Sequence, residues 1–218
     1  MNILITGCGS GLGKSLFKIG LTRKYNVFPH YRQSLTQSND VLIGDICSDG
    51  FADLVKDFCQ RKKIDVFINN AAIRTSGDIN KTKDEDIQKC IHTNVTSQIL
   101  MLKRVYSFFH EKSSGLIINI NSLAGLNSSS QESVYCASKF ALRGFSKSLQ
   151  LESIGSGVEF IDIYSGSIKT KMTQDRQNYE SLMCPDEIAK QIYDCIPSAK
   201  HYINEIILRK RNEGSYSK

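Results

Sequence analysis

The feature that most restricts what this chain can fold into is an alternation that runs from end to end. Residues 2–6, 26–31, 41–44, 65–68, 115–121, 158–163 and 202–208 are short apolar runs, rich in Ile and Val and without strict polar alternation. Strands buried on both faces have that composition. Between them, residues at about 11–24, 50–62, 94–112, 133–155 and 185–196 are longer and amphipathic, as helices are. Strand and helix in turn predict an α/β chain with a parallel sheet covered on both faces and right-handed crossovers. With 218 residues, 40% of them hydrophobic, the chain can build one substantial core but not two ordinary domains, so residues 1–218 are expected to form a single domain. Residues 171–184 are polar and weakly patterned, which predicts a mobile loop, and 209–218 read as a frayed basic tail.

Charge and cysteine usage narrow the function classes. The formal net charge is +6, but the lysines and arginines are scattered and no basic helix concentrates them. That argues against a nucleic-acid partner and suits a ligand carrying phosphate. The seven cysteines are an odd number and form no C-x-x-C pair, so neither a disulfide framework nor a metal site is expected. Free thiols imply a reducing compartment. The apolar start Met1–Ile5 is too short for a signal peptide, and no run approaches the length of a membrane span. The expectation is a cytoplasmic protein without a membrane partner.

Directly after the first apolar run stands Thr6-Gly7-Cys8-Gly9-Ser10-Gly11-Leu12-Gly13-Lys14, and a helical pattern follows it. Glycines there permit a tight turn and close approach of backbone to phosphate, and the helix start offers free N–H groups and a positive dipole end. The G-x-G-x-x-G spacing is absent; the run reads T-G-x-x-x-G-x-G. Further on, Tyr135 and Lys139 lie four apart on one predicted helix and share a face. A nearby ammonium favours tyrosinate, which would let Tyr135 act as a general acid or base. Ser122, closing an apolar run, could hold a substrate oxygen. Each of these residues also has a plain structural reading. Tyr135 and Lys139 could be a surface pair, Ser122 a turn cap, Asn94 a helix N-cap, Thr6 a cap of the glycine turn and Asn69–Ala72 a loop. Cys8 and Cys136 read as packing residues rather than nucleophiles.

In their order and spacing these segments resemble the short-chain dehydrogenase/reductase family from residue 1 to about 170. Asn69-Asn70-Ala71-Ala72 matches that family's N-N-A-G/A. Asn94 falls at its helix-bending asparagine, Tyr135 and Lys139 form its Y-x-x-x-K, and Gly166 and Thr170 match P-G-x-x-x-T, with Ser165 in place of the proline. The resemblance implies an NAD(P)-binding Rossmann fold, a doubly wound seven-stranded parallel sheet in the order 3-2-1-4-5-6-7. It implies an oxidoreductase that moves a hydride between a nicotinamide cofactor and a carbonyl or secondary alcohol, with Asn94, Ser122, Tyr135 and Lys139 catalytic. Asn94 would anchor a water that relays protons to Lys139. The cofactor would be held by Thr6, Gly7, Gly9, Ser10, Gly11, Leu12, Gly13, Arg32, Asp45, Ile46, Asn70, Ala71, Ala72, Tyr135, Lys139, Gly166, Ile168 and Thr170, with residues 171–184 as a short substrate loop.

An NAD site usually carries an acid about 20 residues past the glycine loop. Here no acid occurs from Lys14 to Asn39, and Tyr31 and Arg32 stand at that place. The expected cofactor is therefore NADP, with NADPH preferred and NAD permitted. Arg74, Lys169, Lys171 and Arg176 flank the pocket in relatives, which points to a small, anionic substrate or to a solvated rim. Ile99, Met101, Leu102, Val105, Phe108 and Phe109 spread over more than one helix face, and relatives pair through this helix and 133–155; a homodimer or homotetramer is expected. A redox sensor without turnover is the alternative, and the intact Ser, Tyr and Lys set argues against it. Epimerases and dehydratases of this fold usually carry a longer C-terminal part.

Overall fold

A computed structural model describes residues 1–33, 38–196 and 203–211. Seven strands form one sheet: β1 (Asn2–Ile5), β2 (Asn26–Tyr31), β3 (Leu42–Ile43), β4 (Val66–Asn69), β5 (Gly115–Ser122), β6 (Val158–Ser165) and β7 (Glu205–Leu208). All neighbours are parallel, in the order β3-β2-β1-β4-β5-β6-β7. This is the expected doubly wound fold. The register pairs Ile3 with Val27 and Val66, and Ser122 with Ser165, so the strands end along one edge of the sheet. Tyr202, the expected start of the last strand, and 212–218 of the expected tail lie outside the described residues.

Alternate strand residues face opposite ways, and each face has its own helices. Ile3, Ile5, Ile68, Ile118 and Ile161 pack with Leu12, Leu16 and Ile19 of α1 (Gly11–Thr22) and with Ile188 and Ile192 of α6 (Pro185–Asp194). Leu4, Phe67, Ile117 and Phe160 pack on the other side against α2 (Phe51–Lys62), α4 (Ser97–Lys112) and α5 (Ser133–Glu152). One buried polar group within the sheet is well satisfied. Asp162 on β6 is buried and accepts from Asn119 Nδ2 at 3.0 Å, Ser146 Oγ at 2.7 Å and Gln150 Nε2 at 3.1 Å.

Two expectations need correction. The helix predicted from residue 94 begins earlier, as α3 (Asp84–Ile91), and reaches α4 through a π turn, His92–Thr96. Asn94 sits inside that turn, so it is no N-cap. In α3 only Cys90 is buried, which leaves too thin an apolar stripe for periodicity to register; Asp84, Glu85 and Asp86 in its first turn are the better signal. Residues 171–184 form two 3₁₀ turns, Lys171–Thr173 and Tyr179–Ser181, and Met183 bonds back by Met183 N–H to Ser167 O at 3.2 Å. Met101, Leu102, Val105, Phe108 and Phe109 are buried by the chain's own core and give no argument for a partner. The exposed apolar side chains on these helices are Leu100, Phe140 and Leu151.

Candidate active site

At the carboxyl edge of the sheet a cavity of about 1300 Å³ runs from the end of β2, across β1 and β4, to the ends of β5 and β6. Open α/β sheets bind ligands at that edge, where the chain reverses its strand order. All the sequence-predicted site residues line it except Thr6 and Asn94.

Gly7 (φ 74°) and Gly11 (φ 54°) take left-handed backbone that glycine adopts without strain. At Gly13 the demand is for space. A Cβ there would lie 2.1 Å from the Gly7 carbonyl oxygen and 2.7 Å from Asn70 Nδ2. The helix start is pressed against the loop, and Gly11, Leu12 and Gly13 of its first turn line the cavity. No acid stands in the first turn of α1, and the Ser10 side chain makes no capping bond. A helix start of that kind suits an anion.

Thr6 is fully buried and ties β1 to the loop after β4: its Oγ1 accepts from Asn70 N–H at 2.9 Å and Ala71 N–H at 3.0 Å. Asn70 Nδ2 donates to Thr6 O at 2.8 Å. Asn94 fixes the next stretch of that loop, accepting from Ile73 N–H at 2.9 Å and donating to Ile73 O at 2.8 Å and Ser138 Oγ at 3.1 Å. Gln98 adds a bond to Ala71 O at 2.6 Å.

On the β2 side, Tyr31, Arg32, Asp45 and Ile46 line the cavity. Sequence reasoning missed their organiser, His30. Its Nδ1 accepts from Gly7 N–H at 3.1 Å, so Nε2 carries the proton and donates to Gly44 O at 2.9 Å. One neutral imidazole thus joins the glycine loop to the loop bearing Asp45. Burial keeps it neutral by lowering its pKa, partly opposed by the Gly44 carbonyl and Asp45. A lone polar residue in an apolar run was the only signal.

Ser122 ends β5, and its Oγ accepts from Ala124 N–H at 3.1 Å, so the hydroxyl caps a turn and keeps its own hydrogen to give. Tyr135 and Lys139 sit one turn apart on α5, both buried. Burial pushes the Tyr135 pKa up to about 12, a hydrogen bond from Ser122 pulls against it, and the charges of Glu132 and Arg74 act in opposite directions. Burial pushes Lys139 down to about 8. Its ammonium lies 5.8 Å from the Tyr135 ring centre and donates to Ile120 O at 3.3 Å. Cys8 is buried and raised to about 12, so it is not a thiolate.

Gly166, Ile168 and Thr170 form the far wall. Thr170 lies against the glycine loop, 3.1 Å from where a Gly11 Cβ would be. Beside Tyr135 is a cluster that sequence spacing does not show. The buried Glu132 accepts from Arg74 Nε at 2.6 Å and Arg176 Nη2 at 2.7 Å, and Arg74 Nη1 donates to Asp175 Oδ1 at 2.8 Å. Lys169, expected at the rim, pairs with Glu180.

A family model described as short chain dehydrogenase matches residues 1–181. The chain is 30% identical over 187 residues to a 3-oxoacyl-[acyl-carrier-protein] reductase of Synechocystis sp., covering 79% of this chain and 76% of that one. Its fold is like that of ElxO solved with NADP bound, with a TM-score of 0.81, 23% identity and 95% of each chain covered. It is equally like a 3-ketoacyl-(acyl-carrier-protein) reductase from Brucella melitensis complexed with NADH, with a TM-score of 0.81, 18% identity, and 94% and 96% covered.

Proposed function

The chain belongs to the short chain dehydrogenase family, and from that we propose that its cleft binds NADP(H) and interconverts a carbonyl and a secondary alcohol through Ser122, Tyr135 and Lys139. The observation that carries the reading is the meeting of these three side chains in one cavity with the glycine loop, on the carboxyl edge of the sheet. The glycine loop fits a dinucleotide: Gly13 leaves no room for a side chain, and the first turn of α1 offers N–H groups to a pyrophosphate.

When bound, the dinucleotide supplies the hydride that carbon accepts. The rest is done by the chain. Ser122 donates to the substrate oxygen and holds the carbonyl against Tyr135. Tyr135 keeps its proton at neutral pH, since burial has raised it, and that is the form reduction consumes. As charge develops on the substrate oxygen, the Tyr135 O–H bond breaks and the proton passes to that oxygen. The phenolate left behind is stabilised by the Lys139 ammonium, which is held by Ile120 O with no carboxylate among its hydrogen-bond partners here. Oxidation of an alcohol runs the same steps backwards.

Arg32 supports NADP over NAD: it borders the cavity just past β2, where a carboxylate would bind a ribose 2′-hydroxyl and repel a 2′-phosphate. In this reading residues 1–218 act as one binding and catalytic domain, with 171–184 as its substrate loop. A panel of carbonyl compounds with NADPH and with NADH, followed by loss of nicotinamide absorbance, tests the activity. Tyr135→Phe tests the mechanism: NADPH affinity should hold while turnover falls about 10²–10⁴-fold. Turnover within about threefold of the parent would remove Tyr135 as the acid.

A further inference from the structure

Three walls of the cleft come from segments far apart in sequence. They are the loop after β4, with Arg74; the residue before α5, Glu132; and the turn after β6, with Met172 and Arg176. One carboxylate joins them. Glu132 Oε1 takes Arg74 Nε at 2.6 Å and Arg176 Nη2 at 2.7 Å, and its side chain is 7% exposed. Arg74 reaches onward to Met172 O at 3.2 Å and to both oxygens of Asp175, at 2.8 and 3.1 Å. A carboxylate this deep is tolerable only because both guanidiniums compensate it, and removing its charge takes the ion pair from Arg176 and leaves Arg74 with Asp175 alone.

Resting on the reading above, we propose that Glu132 is a positioning residue of the reaction, fastening the 171–176 segment to the start of the helix that carries Tyr135. Glu132 precedes Tyr135 by three residues, one helical turn, so whatever moves the cluster moves the substrate wall relative to the acid. Without the carboxylate, Arg176 loses the partner that ties it to the start of α5 and Arg74 keeps only Asp175 and Met172 O, so the 171–176 segment is no longer fastened to the helix that carries Tyr135.

The test is Glu132→Gln, which keeps shape and one acceptor and loses the charge. Trypsin cleavage after Lys171 and Arg176, in protein without cofactor, should speed up about tenfold as the segment is released. With ethyl acetoacetate and NADPH, KM should rise about tenfold while kcat and the NADPH Kd stay within about twofold. The cleavage arm needs no turnover, so failure of the parent to reduce the ester would count against the proposed activity and leave that arm to judge Glu132. An unchanged cleavage rate or an unchanged KM overturns the proposal. So does a cofactor Kd rising in step with KM, since that would mean the whole cleft had loosened. Should Glu132→Gln not fold, Arg176→Met cuts the tie from the other side: faster cleavage after Lys171 and higher KM are expected, with kcat in place. An unchanged rate or KM in that variant overturns the tether equally.

Discussion

Replacing Gly13 by alanine adds one methyl group at the tightest point of the glycine loop. The new Cβ would lie 2.1 Å from the Gly7 carbonyl oxygen and 2.7 Å from Asn70 Nδ2. A carbon and a carbonyl oxygen rest comfortably at about 3.3 Å or more, so the helix start and the loop must part by roughly 1 Å. Neither contact is the free end of a flexible chain. Gly7 O is backbone, and Asn70 Nδ2 is pinned to Thr6 O at 2.8 Å. Overpacking of this kind costs about 1–3 kcal/mol, and alanine's helix preference returns at most about 1 kcal/mol. With that preference fully returned the net loss is up to about 2 kcal/mol, or a Tm lower by up to roughly 8 °C in a chain this long. The larger effect should be on the cofactor. Moving Gly7 strains its N–H bond to His30, at 3.1 Å, and in the proposed reading shifts the N–H groups that would hold a pyrophosphate. Losing one charge-assisted bond of about 1.5 kcal/mol or more raises Kd roughly tenfold or more. Thermal unfolding and fluorescence titration with NADPH measure the two effects. A variant with parental Tm and parental Kd would show that helix and loop are not packed as described, and would refute the reasoning.

Arg32→Ala should erode the cofactor preference. A charge-assisted pair on the 2′-phosphate contributes about 1.5–3 kcal/mol, so the parent should favour NADPH over NADH by roughly 10–150-fold and the variant should lose most of that ratio. Equal affinities in the parent, or an unchanged ratio in the variant, remove Arg32 from the role. Leu100 on α4 and Phe140 and Leu151 on α5 are exposed apolar side chains that support a homo-oligomer through these helices. Light scattering at micromolar concentration should then give a multiple of 24.5 kDa, and a monomer mass would end that proposal.

What could be read in advance depended on how local each signal is. Strands buried on both faces announce themselves as apolar runs, which is why β2 begins and ends where the sequence predicts. Tyr135 and Lys139 are legible because four residues on one helix fix their relation. The groups that hold the site are joined across the fold instead: His30 to Gly7 and Gly44, and Glu132 to Arg74 and Arg176. No spacing foretells those pairs, since topology alone brings them together. The π turn left no trace in periodicity, as its extra residue changes backbone hydrogen bonding and leaves composition alone; only the resemblance, through Asn94, pointed to a bend there.

Asn94 shows how far a motif match can reach. As a water anchor it would need bonding capacity to spare, and most of that capacity is committed. Both Nδ2 hydrogens have acceptors in Ile73 O and Ser138 Oγ, and one Oδ1 lone pair takes Ile73 N–H. Of the side chain, only the second Oδ1 lone pair is left to bind a water. The bonds that Asn94 does make hold Ile73 next to Arg74, and Ser138 Oγ passes the tie to Tyr135 O at 2.7 Å. Asn94 therefore links the backbone of the β4 loop to the helix that carries the acid, and that service to the site needs no water at all.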